Sequence, residues 1–270
     1  MKYQEFYKES IDSPEKFWAA QSQNLQWYKP PKNILSTNTD DYPQWFADGK
    51  LNLSYLCIDK HIEDGFGEQN AIIYDSPVTN TKQHITYNQL QEEVSKLAGG
   101  LQQLGLKEGD TTIIYMPMIP QALYAMLACV RIGVIHSVVF GGFASHELAV
   151  RIDDAKPKVI LAASGGLEVK KVIAYKPTID KGIAEATHKP SAVVVFQRDF
   201  VKAEMQEGRD HDWEELVAKA TPQPCAVMDA TDPLYILYTS GTTGVPKGIV
   251  RDNGGHAVAL KYSMQHVYGV

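Results

Sequence analysis

Hydrophobic and polar positions follow two different regimes along the chain. Roughly the first 60 residues are rich in aromatics and hold no sustained period. Within them, Ser13-Pro14-Glu15 predicts a helix start, with serine as cap and proline in the first turn. Phe17, Trp18, Gln21 and Leu25 supply a rough face for that helix. Pro30-Pro31 then blocks helix, and the irregular stretch carrying Trp27, Tyr28, Tyr42, Trp45 and Phe46 is expected to wrap over another surface. From about residue 70 the patterning becomes regular. AIIYDSPVTNTKQHITY reads as a hairpin. Thr86 to Gln89 fits a capping box, followed by a helical stripe of Leu90, Val94, Leu97, Ala98, Leu101 and Leu104 that stops at Gly105. TTIIYM is a strand, Pro120 to Arg131 an apolar helix ended by Gly133, and VIHSVVF a strand. Ser145 is placed as the cap of ELAVRIDDA, KVILAA as a strand, residues 177–187 as a helix, and SAVVVF and LYILYT as two more strands.

The apolar runs show no polar alternation, so they are expected to be buried on both faces, as in a parallel sheet covered by helices. The fold class is α/β, a doubly wound, parallel-rich sheet, preceded by the irregular aromatic-rich segment. Such sheets hold ligands beyond the carboxyl ends of their strands. The 270 residues suffice for a sizeable core. A net charge of −6 argues against nucleic acid or an anionic membrane as partner. Cys57, Cys129 and Cys225 are odd in number and far apart, and the histidines have no metal-ligand spacing, so neither a disulfide framework nor a metal site is expected. The start of the chain has no basic leader and apolar run, and a cytoplasmic location is expected.

The chemistry concentrates after the last of these strands. TSGTTGVPKG, residues 239–248, puts three glycines, four hydroxyl side chains and a lysine in ten positions. Glycines bring backbone N–H groups close to an anion, and the hydroxyls and Lys247 add donors and charge. The segment reads as a cradle for a triphosphate or pyrophosphate. It is neither a P-loop, because Gly241 and Gly244 are three apart and Pro246 precedes the lysine, nor a dinucleotide fingerprint. The blander alternatives are a flexible Gly/Thr linker and a solvated loop lysine.

This motif resembles the phosphate loop of the adenylate-forming acyl-CoA synthetase superfamily. WFADGKLNLSYLCIDKH (45–61) and IYMPMIPQALYAMLACVRIGVIHSVVFGGF (114–143) resemble its short-chain acetyl/propionyl branch, and speak against a long-chain ligase. GIVRDNGGHAVAL (248–260) is most similar to propionyl-CoA synthetases, except that His256 stands where they carry tyrosine. The resemblance implies an ATP-dependent ligase that joins a small carboxylic acid to AMP, releases pyrophosphate, and transfers the acyl group to coenzyme A, with Mg²⁺ assisting. It implies that Thr239, Ser240, Gly241, Thr242, Thr243, Gly244 and Lys247 surround the ATP phosphates, shaped by Pro246 and Gly248. It implies that Phe140, Gly141 and Gly142 lie near the coenzyme A nucleotide; their alternative reading is a tight turn. Glu168 and Lys171 align with two arginines that approach the coenzyme A 3′-phosphate in relatives. Lys171, with Lys170, is the remaining candidate there, and Arg251 a further basic one. No catalytic or metal residue is assigned, since the family's catalytic lysine, acyl pocket and ribose and Mg²⁺ ligands are expected beyond residue 270. His136 is read as a satisfied core histidine, and Asp40-Asp41, Asp153-Asp154 and Glu214-Glu215 as structural or solvated acids.

The organisation expected is an N-terminal segment, 1–68, packed on the first part of an AMP-binding domain, 69–270, with the small C-terminal domain absent. The fragment is then an inactive front part of a propionate or acetate ligase. A non-catalytic nucleotide-binding or partner-binding module is the reading from a different class.

Overall fold

The computed structural model describes residues 3–169, 171–239 and 246–270. Helices α1 (Tyr3–Asp12) and α2 (Pro14–Ser22) open the chain, α2 with Ser13 as cap and Pro14 in its first turn. No part of the sequence reading anticipated α1. Strands β1 (Leu35–Thr37) and β2 (Pro43–Trp45) form a small antiparallel pair. β3 (Lys50–Leu51) leads into two π-helical turns, Tyr55–Asp59 and Ile62–Phe66. The predicted hairpin is β4 (Asn70–Ser76) with β5 (Thr81–Thr86).

Helix α3 (Tyr87–Gln103) starts at the predicted capping box: the Gln89 amide donates to Thr86 Oγ1 at 3.2 Å, and the Thr86 amide donates to Gln89 Oε1 at 2.9 Å. Gly105 follows it at φ +87°. β6 (Thr111–Met116), α4 (Pro120–Arg131), β7 (Ile135–Phe140), α5 (Ser145–Ala155) and β8 (Val159–Ala163) then alternate. The cap of α5 is Ala144; Ser145 is already helical, and its hydroxyl donates to Glu185 Oε1. The expected Ser145 cap is therefore one residue late.

β9 (Gly165–Glu168) and β10 (Lys171–Ala174) form a hairpin absent from the sequence reading. α6 (Lys176–Glu185), β11 (Ala192–Phe196), β12 (Asp210–Asp212), α7 (Trp213–Lys219) and β13 (Met228–Asp229) follow, with β13 pairing antiparallel to β3. β14 (Pro233–Thr239), β15 (Lys247–Asp252) and α8 (Asn253–Ser263) complete the ordered elements before a final π-helical turn.

Seven strands share one sheet in the order β12-β11-β8-β6-β7-β14-β15, parallel throughout except for the β14–β15 pair at the edge. The chain moves from β6 outward to β7, then back across to β8. Right-handed crossovers in opposite directions place α4 and α5 on opposite faces of the sheet. α6 packs on α5, and α3 on α4. The sheet is thus doubly wound, as the apolar runs predicted.

Burial on both faces holds for the central strands only. Every residue of β8 is buried. Along β14 buried and exposed positions mix, and β15 is exposed through Arg251. Tyr235 of β14 is opposite His136 of β7 and Arg251 of β15. Counting on from that row, Val138, Phe140, Leu237 and Ile249 fall on one face and are 43%, 65%, 49% and 42% exposed. Helix α8 covers only the start of this face, where the His256 ring meets Tyr235.

The N-terminal aromatics wrap as expected. Trp27, Phe46 and Leu51 are buried with Ala230 and with Ala257 and Val258 of α8. An ion pair with a buried guanidinium fastens the segment to the body: Arg131 of α4 forks onto half-buried Asp59, with Nη1 to Oδ2 at 2.8 Å and Nη2 to Oδ1 at 2.9 Å. Burial opposes ionisation of Asp59, but this fork and the Gln91 amide outweigh it and hold the carboxyl below its ordinary range.

Candidate functional site

Parallel strands present their carboxyl ends together, and there the structure gathers most of the predicted site. The turn after β7, the β9–β10 hairpin after β8 and the end of β14 all open on that side. Tyr115, at the end of β6, donates its hydroxyl to the Phe143 carbonyl at 2.7 Å and meets Tyr175 edge-on at 5.3 Å. Burial pushes the Tyr115 hydroxyl up to about 12, so it remains a donor across the neutral range.

Tyr175 explains the glycines on both sides of it. A Cβ on Gly141 would come within 2.6 Å of the Tyr175 ring, and one on Gly166 within 2.1 Å of its hydroxyl oxygen. Only glycine lets the FGGF turn and the β9 strand close on that ring. The turn thus has a packing reason of its own. Phe140 remains 65% exposed at its mouth.

Lys171 lies opposite Glu168 in the hairpin register, and both are exposed. Val169 turns the hairpin with φ +57°. Tyr175 therefore joins Phe140, Gly141 and Gly142 to the strand that leads to Lys171, the four positions expected near coenzyme A. Lys170 lies outside the described residues.

The phosphate motif spans β14 and β15. Thr239 ends one strand and Lys247 begins the other, paired directly across the ladder. Lys247 and Gly248 are therefore strand residues, where the sequence reading set them in the loop. Ser240, Gly241, Thr242, Thr243 and Gly244 lie outside the described residues. Lys247 is exposed and makes no ion pair among the described residues. Its side chain shares a sheet face with Thr239 and, by register, with Phe140. One primary ammonium and one hydroxyl held side by side can bind an anion.

Arg251 is not with them. It pairs with Tyr235, four residues and about 13 Å along β15 from Lys247. There it lines a cleft of about 670 Å³ with Trp18, Trp45, His256 and Leu260. By register it also stands four residues from the level of Phe140.

His136 is buried, as expected, but it is not satisfied: Nδ1 has no hydrogen-bond partner among the described residues. Burial, then the neighbouring His256, lowers its pKa to about 4, so the ring is neutral at physiological pH. The acidic pairs are structural. Asp153 Oδ1 accepts from the His188 amide, and Asp154 Oδ2 accepts from the Tyr238 hydroxyl. Glu214 and Glu215 sit in the first turn of α7, where their amides donate to Asp212. Asp41 occupies a turn at φ +60°.

Sequence reasoning passed over Tyr115, Tyr175, Arg151 and Tyr238. One signal was available for Arg151: it interrupts the apolar stripe of Leu148, Ile152 and Ala155 on α5, where a charge must have a built partner.

The AMP-binding enzyme family matches residues 61–270, and the acetyl-coenzyme A synthetase N-terminus family matches residues 3–57. An uncharacterized protein of Pseudomonas aeruginosa is 54% identical over 270 residues, 100% of this chain and 43% of that protein. The mitochondrial acyl-CoA synthetase short-chain family member 3 of Rattus norvegicus is 49% identical, over 99% of this chain and 39% of its own length. The acetyl-coenzyme A synthetase of Methylocella silvestris is 42% identical, with 99% and 42% covered. Among solved structures, the acetoacetyl-CoA synthetase from Streptomyces lividans superposes with a TM-score of 0.87 at 26% identity, over 98% of this chain and 40% of that one. The chain thus spans about two fifths of the length of the relatives it matches. With the phosphate motif between β14 and β15 and both family segments in sequence order, the chain belongs to the AMP-binding enzyme family, in the short-chain acyl-CoA and acetyl-CoA synthetase branch.

Proposed function

We propose that this chain is the front part of an AMP-forming short-chain acyl-CoA synthetase whose preferred acid is propionate. The observation that carries the reading is the placement of TSGTTGVPKG. Its described ends, Thr239 of β14 and Lys247 of β15, pair at the carboxyl end of the parallel sheet, level by register with Phe140 of the FGGF turn. In the proposed reaction a carboxylate oxygen attacks the ATP α-phosphorus and pyrophosphate leaves. The coenzyme A thiol then attacks the acyl carbonyl and AMP leaves. Charge grows on the phosphate oxygens during the first step, and preorganised donors at the strand ends would stabilise it without reorganising. Thr239 and Lys247 supply a hydroxyl and an ammonium for that role; Ser240 to Gly244 supply the rest of the motif. Mg²⁺ enters with ATP as part of the substrate.

Coenzyme A is assigned to the turn of Phe140, Gly141 and Gly142 and to Lys171. Lys171 acts as a point charge, without the forked geometry an arginine would give. The preference for propionate rests on the 248–260 run; His256, which stands where propionyl-CoA synthetases carry tyrosine, is its departure from that pattern and packs edge-on against Tyr235 at 5.1 Å.

Two measurements test this reading. The 270-residue chain, given propionate, Mg·ATP and coenzyme A, is expected to form no acyl-CoA; robust turnover would contradict the incomplete site. In the polypeptide extended to the length of its relatives, Lys247→Ala is expected to slow adenylation roughly tenfold to a hundredfold while the fold is kept. Unchanged exchange kinetics would remove Lys247 from the phosphate site.

A further inference from the structure

Arg151 is 6% exposed and lies on the buried stripe of α5. Its guanidinium carbon stands 4.9 Å from the centre of the Phe143 ring and 5.5 Å from the centre of the Tyr238 ring. Phe143 closes the FGGF turn, and its amide donates back to the Phe140 carbonyl at 3.1 Å. Tyr238 is the penultimate residue of β14, immediately before Thr239. One planar cation therefore touches both candidate binding loops through their aromatic side chains.

The surroundings fix it there. Arg151 Nη1 donates to the Glu147 carbonyl at 2.6 Å and to Glu147 Oε2 at 2.8 Å, so the helix itself holds the side chain. The Tyr238 hydroxyl donates to Asp154 Oδ2 at 2.5 Å, one α5 turn onward. Gly248, across the ladder from Tyr238, leaves room for that ring: a Cβ there would lie 3.1 Å from Tyr238 Cε1. Helix α5 thus grips the β7 turn and the end of β14 together. A lysine would keep the charge but lose the flat face that both rings meet.

We propose that Arg151 is a positioning residue that sets the separation between the FGGF turn and the strand entering the phosphate motif. Its use in the reaction rests on the function proposed above: the two loops would hold the two substrates whose groups must meet. The tie itself is a property of this chain and is testable without turnover.

The experiment is site-resolved amide exchange on the 270-residue chain, for the wild type and for Arg151→Met, Arg151→Lys and Tyr238→Phe, with near-ultraviolet circular dichroism to verify folding. In Arg151→Met and Arg151→Lys, exchange is expected to accelerate at least tenfold at both Phe143 and Tyr238–Thr239. Tyr238→Phe, which keeps the ring and loses only the Asp154 bond, is expected to accelerate both sites less. In the polypeptide extended to the length of its relatives, saturating Mg·ATP should slow exchange at Phe143 in the wild type and leave it unchanged in Arg151→Lys. Acceleration confined to one loop or to α5, or Arg151→Lys behaving as wild type, would overturn the tie. If Arg151→Met fails to fold, the other two variants decide. If Mg·ATP alters nothing in the extended wild-type polypeptide, the phosphate-site reading fails while the substitutions still judge Arg151.

Discussion

At the residue scale, buried His136 and half-buried Asp59 are handled differently by the fold. His136 is neutral and unpartnered at Nδ1, with its pKa lowered to about 4. The unfolded ring takes a proton near 6.5 while the folded ring does not, so stability falls as pH drops through 6.5 and levels off below 4. The contribution over that window is about 3 kcal/mol. His136→Met should flatten this part of the stability curve, read from denaturant unfolding at stepped pH; an unchanged slope would clear His136 of the effect. Asp59 differs in that it is ionised and matched by Arg131. Asp59→Asn should cost about 3–5 kcal/mol, because it strands a buried guanidinium. Thermal or denaturant unfolding measures this directly, and a loss below about 1 kcal/mol would mean the pair is solvated. Gly141→Ala probes the packing of the FGGF turn on Tyr175. Its Cβ would lie 2.6 Å from the Tyr175 ring, and the displaced ring should cost about 1–3 kcal/mol. A neutral substitution would show that the turn shifts freely.

At the element scale, the sequence was most legible where one physical signal decided the outcome. Apolar runs became β6, β7, β8, β11 and β14, and the Thr86–Gln89 box became the start of α3. Hydropathy could not reveal β12 or β15. Asp210–Asp212 is polar and Lys247–Asp252 is exposed, and each is a strand because a neighbouring strand offers its backbone. The β9–β10 hairpin was hidden for a related reason: its glycines answer to contacts that exist only in the fold, Gly165 to the Ile173 carbonyl and Val201 and Gly166 to the Tyr175 hydroxyl. α1 had a readable stripe in Tyr3, Tyr7 and Ile11, but those side chains are 80%, 59% and 63% exposed, so the stripe does not mark a buried face. The candidate site followed the same division. Its loop residues were legible as a motif, whereas the side chains that hold the loops in place, Tyr115, Arg151, Tyr175 and Tyr238, come together only through the fold.

At the scale of the whole molecule, the parallel sheet brings the strand ends, the FGGF turn and the β9–β10 hairpin to one side, and the aromatic N-terminal segment braces the opposite end through Asp59, Trp27 and Phe46. The face bearing Val138, Phe140, Leu237 and Ile249 stays open beside the candidate phosphate residues. The relatives are about two and a half times as long as this chain, which spans 39–43% of them. Arg251 lines a cleft together with Trp18 and Trp45. The central claim is that this architecture serves AMP-forming activation of a short acid. Its most direct test is carboxylate-dependent exchange of pyrophosphate into ATP by the polypeptide extended to the length of its relatives, with acetate, propionate and butyrate compared. The account predicts exchange that requires the acid and is most efficient with propionate. Exchange that is absent with all three acids would contradict it, and exchange most efficient with acetate would leave the ligase standing and remove propionate as its substrate.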